Sequence, residues 1–486
     1  MRTRTPIGHK LSVEPLNSIP RPVVRGGPQN GLKYVHSPTD VLVATTVHWA
    51  STTRLALALA RSGLRVAAVA PGEHALHRMD ALCASRVCVP HSGFVSAVAG
   101  AMRALRPALV VPGDDRAVRG LHALHGRAGK GGAAGRGIAE TIRRSLGEPS
   151  SFAIVDRKSR FAAFCKAEGL PLPRTQAVRS REAFLRQLEA AGLPQVLKLD
   201  IGSGGHSVRI VRSAGEASAG FAELAAMRGW RSVLRRGLEE LSGAPLVDKL
   251  RGRAPAILSQ SYVAGRLANR AVYCRDGAVL AGITVVTMHV LEETGPTTVA
   301  RVVDHPEVAE LAARIVGRLK LSGFVGIDVV LEAGSGRPWL LELNPRPTQT
   351  CHLALSDDTD MVGALTLALK GAERRAGPGT ATPHDRIIAL YPGELWRDPS
   401  SAYLTAPYHD IPVDEPDFVA AYARPVPDEP LSWVQSLARR RSRRPVPRPA
   451  TVPAGEAREG RVVAVPAAEA AGMGDGSLLE DAEGFS

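Results

Sequence analysis

Between residues 41 and 111 the apolar positions fall into short runs that alternate with helical spacing. Val41–Thr46 is a buried-strand pattern. Thr53–Ser62 carries Leu55, Leu57 and Leu59 among alanines and reads as a helix stopped by Gly63, and Leu64–Val69 returns as a strand. Cys83–Val89 and Ala108–Val111 repeat the strand pattern, with a helical Val95–Leu105 between them. Strand and helix alternating at this spacing predict a parallel sheet covered by helices, a Rossmann-like αβ domain over 39–128. Five glycines between Gly129 and Gly137 then predict a linker over 129–153.

From Lys158 the pattern changes. Ser159–Glu168 and Arg181–Ala191 read as helices closed by Gly169 and Gly192. Pro194–Asp200 and Ser207–Val211 read as a hairpin whose tip is the glycine-rich loop Gly202-Ser203-Gly204-Gly205. Glu216–Leu241 reads as mostly helical, and then Ala256–Val263, Ala268–Arg275, Ala278–His289 and Thr298–Val303 as strands, with Asp276-Gly277 as a turn. An amphipathic helix over Glu307–Lys320, strands Gly326–Leu331 and Trp339–Leu343, and a helix ending at Leu369 follow. This second region, 154–370, is α+β. Residues 371–430 keep enough apolar side chains, such as Ile387, Ile388 and Tyr391, to pack on the body. Residues 1–38 and 431–486 are Pro-, Gly- and charge-rich without periodicity, and they read as a flexible arm and a disordered tail.

Composition narrows the function. The chain of 486 residues has 44% hydrophobic residues, which is enough for two or three packed domains, and no apolar run long enough to span a membrane. A cytoplasmic protein is the expectation. The net charge of +14 suggests nucleic acid, but six arginines between Arg439 and Arg448 and the basic arm hold much of it, and aromatics are only 4%. That distribution argues against nucleic acid as a partner. The five cysteines are scattered and form no C-x-x-C pair, so they read as buried thiols.

Chemistry gathers in the middle of the chain. Lys198 ends an apolar strand just before the glycine loop, where backbone N–H groups and an ammonium can meet phosphate oxygens, although a flexible hairpin beside a surface lysine reads equally well. Asp328 and Glu342 interrupt apolar strands, where an unpaired charge is costly. Glu342 and Asn344 share one face of a strand. With Asp328 they form a set of hard oxygen donors suited to Mg²⁺, and Arg346 lies just beyond them. Structural salt bridges are the bland alternative for either acid alone.

The order of these pieces resembles the ATP-grasp superfamily, closest to its carbamoyl-phosphate-synthase-like and biotin-carboxylase-like branch. The matching parts are Lys158 with the Gly169-Leu170-Pro171-Leu172-Pro173 turn, Lys198 with its glycine loop, Gln260–Val263, Asp328, and Glu342-Leu343-Asn344-Pro345-Arg346. The resemblance implies an ATP-grasp domain over 154–370, with a small lobe about 158–260 and a large lobe about 261–370, preceded by the αβ domain. It also implies a carboxylate–amine ligase, with a carboxylate–thiol variant, that activates a carboxylate as an acyl phosphate.

Under that resemblance Lys158 and Lys198 touch ATP phosphates, and Gly202, Ser203, Gly204 and Gly205 cover them. Gln260, Tyr262 and Val263 line the nucleotide, the last two through main-chain groups. Asp328, Glu342 and Asn344 hold Mg²⁺, with Mn²⁺ as an alternative. Arg346 and Lys198 act on the transferring phosphoryl group. Where the family usually has Glu, this chain has Ser261, and Asn269 stands in for the later acid near the ribose. The implied partners are a small-molecule carboxylate and an amine, with a homodimer also compatible. The other reading is a nucleotide-binding regulatory or scaffolding protein with a degenerate site. Asp114-Asp115, His206 and Cys351-His352 are further candidates for lining the substrate end.

Overall fold

The structure is a computed structural model that describes residues 39–424 apart from 89–92, 203, 204, 206, 230–249, 251–254, 373–384 and 406. The predicted arm 1–38 and tail 431–486 lie outside the described residues.

The alternating N-terminal pattern folds as a four-stranded parallel sheet in the order β3-β2-β1-β4. Its strands are β1 (Val41–Ala44), β2 (Val66–Pro71), β3 (Ala84–Cys88) and β4 (Leu109–Pro112). The first strands are apolar on both sides because both faces are covered. On one face lies α1 (Ala50–Arg61). On the other lie α2 (Phe94–Leu105) and α3 (Asp115–Ala128).

The stretch 129–153, expected as a linker, is instead largely helical. It forms α4 (Ala133–Leu146) and α5 (Pro149–Val155). The glycines cluster at and just inside the start of α4, and their cost in helix propensity is offset by Ile138, Ile142 and Leu146 at helical spacing, all buried against the parallel sheet. Tertiary burial wins over local composition here.

The second region contains two antiparallel sheets. The smaller, in the order β5-β8-β6-β7, consists of β5 (Thr175–Val178), β6 (Gln195–Leu199), β7 (Val208–Val211) and β8 (Ile257–Ser261). It follows α6 (Lys158–Ala167) and packs against α7 (Arg181–Ala191) and α8 (Ala214–Met227). The helix read over Glu216–Leu241 thus ends at Met227, and most of its remainder lies outside the described residues.

The larger sheet runs β13-β12-β9-β10-β11-β14. Its strands are β9 (Gly265–Arg275), β10 (Ala278–Val290), β11 (Thr297–Val303), β12 (Gly323–Glu332), β13 (Pro338–Asn344) and β14 (Ile387–Ala389). Alternation along β9 sends Val272 and Cys274 toward α9 (Pro306–Leu319). It sends Ala271 and Tyr273 to the opposite face, into a core shared with α10 (Met361–Leu369) and with α1 of the parallel domain. This common core fixes the parallel domain against the large sheet, where the start of α3 meets the chain just past the end of β13. All five cysteines are free thiols.

Candidate active site

Strand register assembles the acids. In the β12–β13 pairing Asp328 lies opposite Glu342, and in the β12–β9 pairing it lies opposite Asn269. Three neighbouring strands therefore present Asn269, Asp328 and Glu342 in a row. Asn344 is two residues beyond Glu342 and on the same face. Its amide Nδ2 donates to Asp328 Oδ2 at 2.8 Å, and Asn269 Nδ2 donates to Asp328 Oδ1 at 2.7 Å. Gly326, two residues before Asp328, has no room for a side chain, because a Cβ there would sit 2.2 Å from Thr348 Cγ2. The Thr348 hydroxyl in turn donates to Asn269 Oδ1 at 3.3 Å.

Burial, reinforced by the neighbouring Glu342 charge, pushes the Asp328 carboxyl up to about 6. Two amide donors do not neutralise two adjacent acids, so the pair retains a demand for positive charge.

Three cations surround it. Lys158, the first residue of α6, places Nζ 2.6 Å from Glu342 Oε1 and donates to the Gly202 carbonyl at 2.6 Å. The start of α6 is held by Asp200, whose carbonyl accepts from Lys158 N at 3.1 Å and whose Oδ1 accepts from Ser159 N at 2.8 Å. Lys198 leaves β6 and donates to Gln260 Oε1 on β8 at 2.9 Å and to the Leu341 carbonyl on β13 at 3.1 Å. It thereby joins the two antiparallel sheets. Burial pushes the Lys198 ammonium down to about 8, against the opposing pull of Glu342. A lysine this buried is not a solvated surface charge.

Arg346 is buried and bound on three sides. Its Nε lies 3.0 Å from Asp115 Oδ2 in a poorly aligned ion pair, and an Nη donates to Asn344 Oδ1 at 3.2 Å. Its guanidinium carbon lies 4.7 Å from the Trp49 ring centroid. Burial works against the guanidinium charge, but Asp115 outweighs it and holds Arg346 more firmly protonated. The reciprocal holds for Asp115, where burial alone would raise the carboxyl and Arg346 brings it below the ordinary carboxylate range. Trp49 and Asp115 belong to the parallel domain, at the ends of β1 and β4, so both domains build the site.

The structure brings Lys158, Lys198, Gly202, Gln260, Asn269, Asp328, Glu342, Asn344 and Arg346 together. Asn269, expected near a ribose, differs in role, since the β9–β12 register commits its amide to Asp328. Gly205 lies at φ +79°, and a Cβ there would overlap the Thr294 carbonyl at 1.7 Å, so the loop closes against the β10–β11 turn. Ser203, Gly204 and His206 lie outside the described residues. Tyr262, just past the end of β8, is exposed, and among the described residues no hydrogen bond ties Tyr262 or Val263 to the cluster. His352 sits apart, with its Nε2 paired to Asp410 Oδ2 at 3.0 Å. Sequence reasoning missed Trp49. No local pattern marks it, because its partner lies almost three hundred positions away.

Among the described residues no group of three or more His, Cys, Asp or Glu could hold a metal ion. The set formed by Asp328, Glu342 and the Asn344 amide has the hard-donor chemistry of a Mg²⁺ site, with only two of its members acids.

A family model described as an ATP-grasp domain matches residues 248–350. The chain is similar to the carbamoyl phosphate synthase large chain of Thermus thermophilus, 29% identical over 226 residues, which is 44% of this chain and 19% of that protein. It thus spans about a fifth of the length of the curated relatives it matches. Among solved structures, the biotin carboxylase domain dimer of Hydrogenobacter thermophilus 2-oxoglutarate carboxylase, in complex with MgADP, ADP and bicarbonate, superposes with a TM-score of 0.50 at 15% identity, covering 69% of this chain and 70% of that one. A biotin carboxylase–β,γ-ATP complex from Campylobacter jejuni gives 0.50 at 12% identity, covering 70% and 72%. Among the described residues no helix is long and apolar enough to cross a membrane.

Proposed function

We propose that the chain, which has an ATP-grasp fold and is similar to carbamoyl phosphate synthase and biotin carboxylase, is an ATP-dependent ligase that activates a carboxylate as an acyl phosphate for attack by an amine or similar nucleophile. One observation carries the reading. The registers of β9, β12 and β13 set Asp328 beside Glu342 in a half-buried pair of acids, and Lys158, Lys198 and Arg346 converge on it.

Asp328, Glu342 and the Asn344 amide oxygen are the residues that would hold Mg²⁺, or Mn²⁺ by the same donor preference. Bound there, the ion supplies charge to the phosphate oxygens. The chain's own residues do the rest. Lys158 exchanges its contact with Glu342 for the phosphates, and Lys198 offers the charge of an ammonium already stripped of water. The glycine loop from Gly202 to Gly205 covers the phosphates, and Gln260 with the main chain of Tyr262 and Val263 lines the nucleotide. A carboxylate oxygen of the substrate attacks the γ-phosphorus, and the bridging oxygen leaves with ADP. Arg346, clamped by Asp115 and Trp49, faces the transferring phosphoryl group without reorganising. The amine nitrogen then attacks the acyl carbon, and inorganic phosphate departs.

The second reading, a nucleotide-binding regulatory or scaffolding protein, is favoured by one feature, since both oxygens of Asp328 already accept amide hydrogens. The test is Mg²⁺-dependent ADP release by the full chain, screened over carboxylates paired with amines or thiols. Stimulation above the basal rate supports the ligase, whereas nucleotide binding without any stimulation supports the second reading. Sedimentation velocity reads whether the chain forms the homodimer that the domain type allows.

A further inference from the structure

The open cleft in front of Lys158 and Glu342 is walled on one side by α3 of the parallel domain. Its acids are each matched. Glu342 meets Lys158 at 2.6 Å, Asp200 meets Arg157 at 3.0 Å, Asp156 meets His122 at 2.9 Å, and Asp115 meets Arg346 at 3.0 Å. One cation in the lining is left over. Arg119, half-buried on α3, makes no hydrogen bond or ion pair among the described residues and only lends its charge to Asp115 from a distance.

We propose that Arg119 anchors a second anionic group on the substrate, so that the acid taken by this site is a dianion. The proposal rests on the ligase reading for the identity of the reacting carboxylate. Asp115 and Arg119 are four residues apart on one helix face, a separation of about 6 Å along the axis. Asp115 is bound to Arg346, so a group held by Arg119 lies about one helical turn from the reacting end. A carboxylate cannot occupy both places, but a molecule with two anionic groups on a short spacer can. Val118, Val155 and Phe161 also line the cleft and suit an uncharged spacer. A guanidinium receives either a carboxylate or a phosphate in bidentate fashion, so the second group is one of these.

The experiment is calorimetric titration of the full-length chain, with MgADP present and absent, using propionate, succinate, glutarate and 3-phosphoglycerate as probes. Wild type, Arg119→Ala and Arg119→Lys are compared, with melting curves to confirm equal folding. At least one dianion should bind wild type more tightly than propionate and lose about ten- to a hundredfold in R119A, the size of one charge-assisted contact. Propionate should not change, and R119K should recover part of the loss. Preference for 3-phosphoglycerate or for the dicarboxylates identifies the second group. Dianion binding that R119A leaves intact, or no dianion preferred over propionate by wild type, overturns the proposal. Arg119-dependent dianion binding without any acid-stimulated ADP release would instead remove the ligase reading and leave the anchor standing.

Discussion

Two aspartates, Asp114 buried in the parallel domain and Asp328 half-buried in the large sheet, are treated in opposite ways. Asp114, at the end of β4, caps α3 by accepting from Arg116 N and Ala117 N at 2.9 Å each. It also accepts from the Thr45 hydroxyl at 2.8 Å, Thr46 N at 2.5 Å and the Thr46 hydroxyl at 2.9 Å. Five donors saturate both oxygens, and the residue is a brace between β1, β4 and α3. Asp328, in the large sheet, has two amide donors and an acid neighbour, and burial lifts its carboxyl to about 6. Burial alone therefore says little about function. An acid surrounded by enough donors holds a fold together, whereas an acid with few donors beside another acid draws cations to it.

The largest expected effect is at the Asp328–Glu342 pair. Glu342→Gln removes a proposed Mg²⁺ ligand and the carboxylate paired with Lys158, and it should abolish acid-stimulated ADP release while the melting temperature stays near wild type. Near-normal turnover in E342Q would erase the distinction drawn between the two aspartates.

Lys198→Ala comes next. Turnover should fall about ten- to a hundredfold, with a smaller loss in nucleotide affinity, because the ammonium acts most on charge that develops during transfer. Calorimetry paired with ADP-release rates reads both quantities. An unchanged pair would make Lys198 only a strut between the sheets, since it also ties Gln260 to the Leu341 carbonyl.

The aspartates can be compared directly. Asp114→Ala strands several donors and removes a cap, for a loss of about 3 kcal/mol. Melting should fall measurably, with turnover per folded molecule preserved. Asp328→Asn should reverse the pattern, with turnover lost and melting of the metal-free chain at pH 7.5 equal to or above wild type. The sign follows from the shift. A carboxyl raised above its unfolded value is a burden when ionised, and that burden fades as pH falls from about 6 toward the unfolded value near 4. The D328N advantage should fade over the same window. Melting curves at several pH values read it.

The legibility of these features in the sequence follows how local their causes are. Strand–helix alternation from Val41 to Val111 is local, and the four-stranded parallel sheet follows it. Asp328 and Glu342 stood out because each interrupts an apolar strand, a contradiction visible within a few residues. The helices over 133–155 were hidden because glycine content dominates the local pattern, whereas the burial of Ile138, Ile142 and Leu146 is tertiary. Trp49 was hidden for the same reason, since only the folded chain brings it over Arg346. Asp114-Asp115 was legible as a pair, but nothing in the sequence separates the saturated brace from the partner of Arg346.

The smallest expected effect comes from the end of the chain. Removing Arg439–Ser486 should leave melting and turnover nearly unchanged, because that stretch has few apolar residues with which to pack. A drop in melting of more than about 5 °C would show that it contributes to the body.

The central claim is that the cluster around Asp328 and Glu342 transfers the γ-phosphoryl group of ATP to a carboxylate. The most direct test uses the acid that best stimulates ADP release, labelled with ¹⁸O in its carboxylate, and measures the mass of the inorganic phosphate after turnover with its nucleophile. Transfer through an acyl phosphate predicts one ¹⁸O in each phosphate released. Phosphate free of label would mean that water attacked ATP directly, and it would contradict the account.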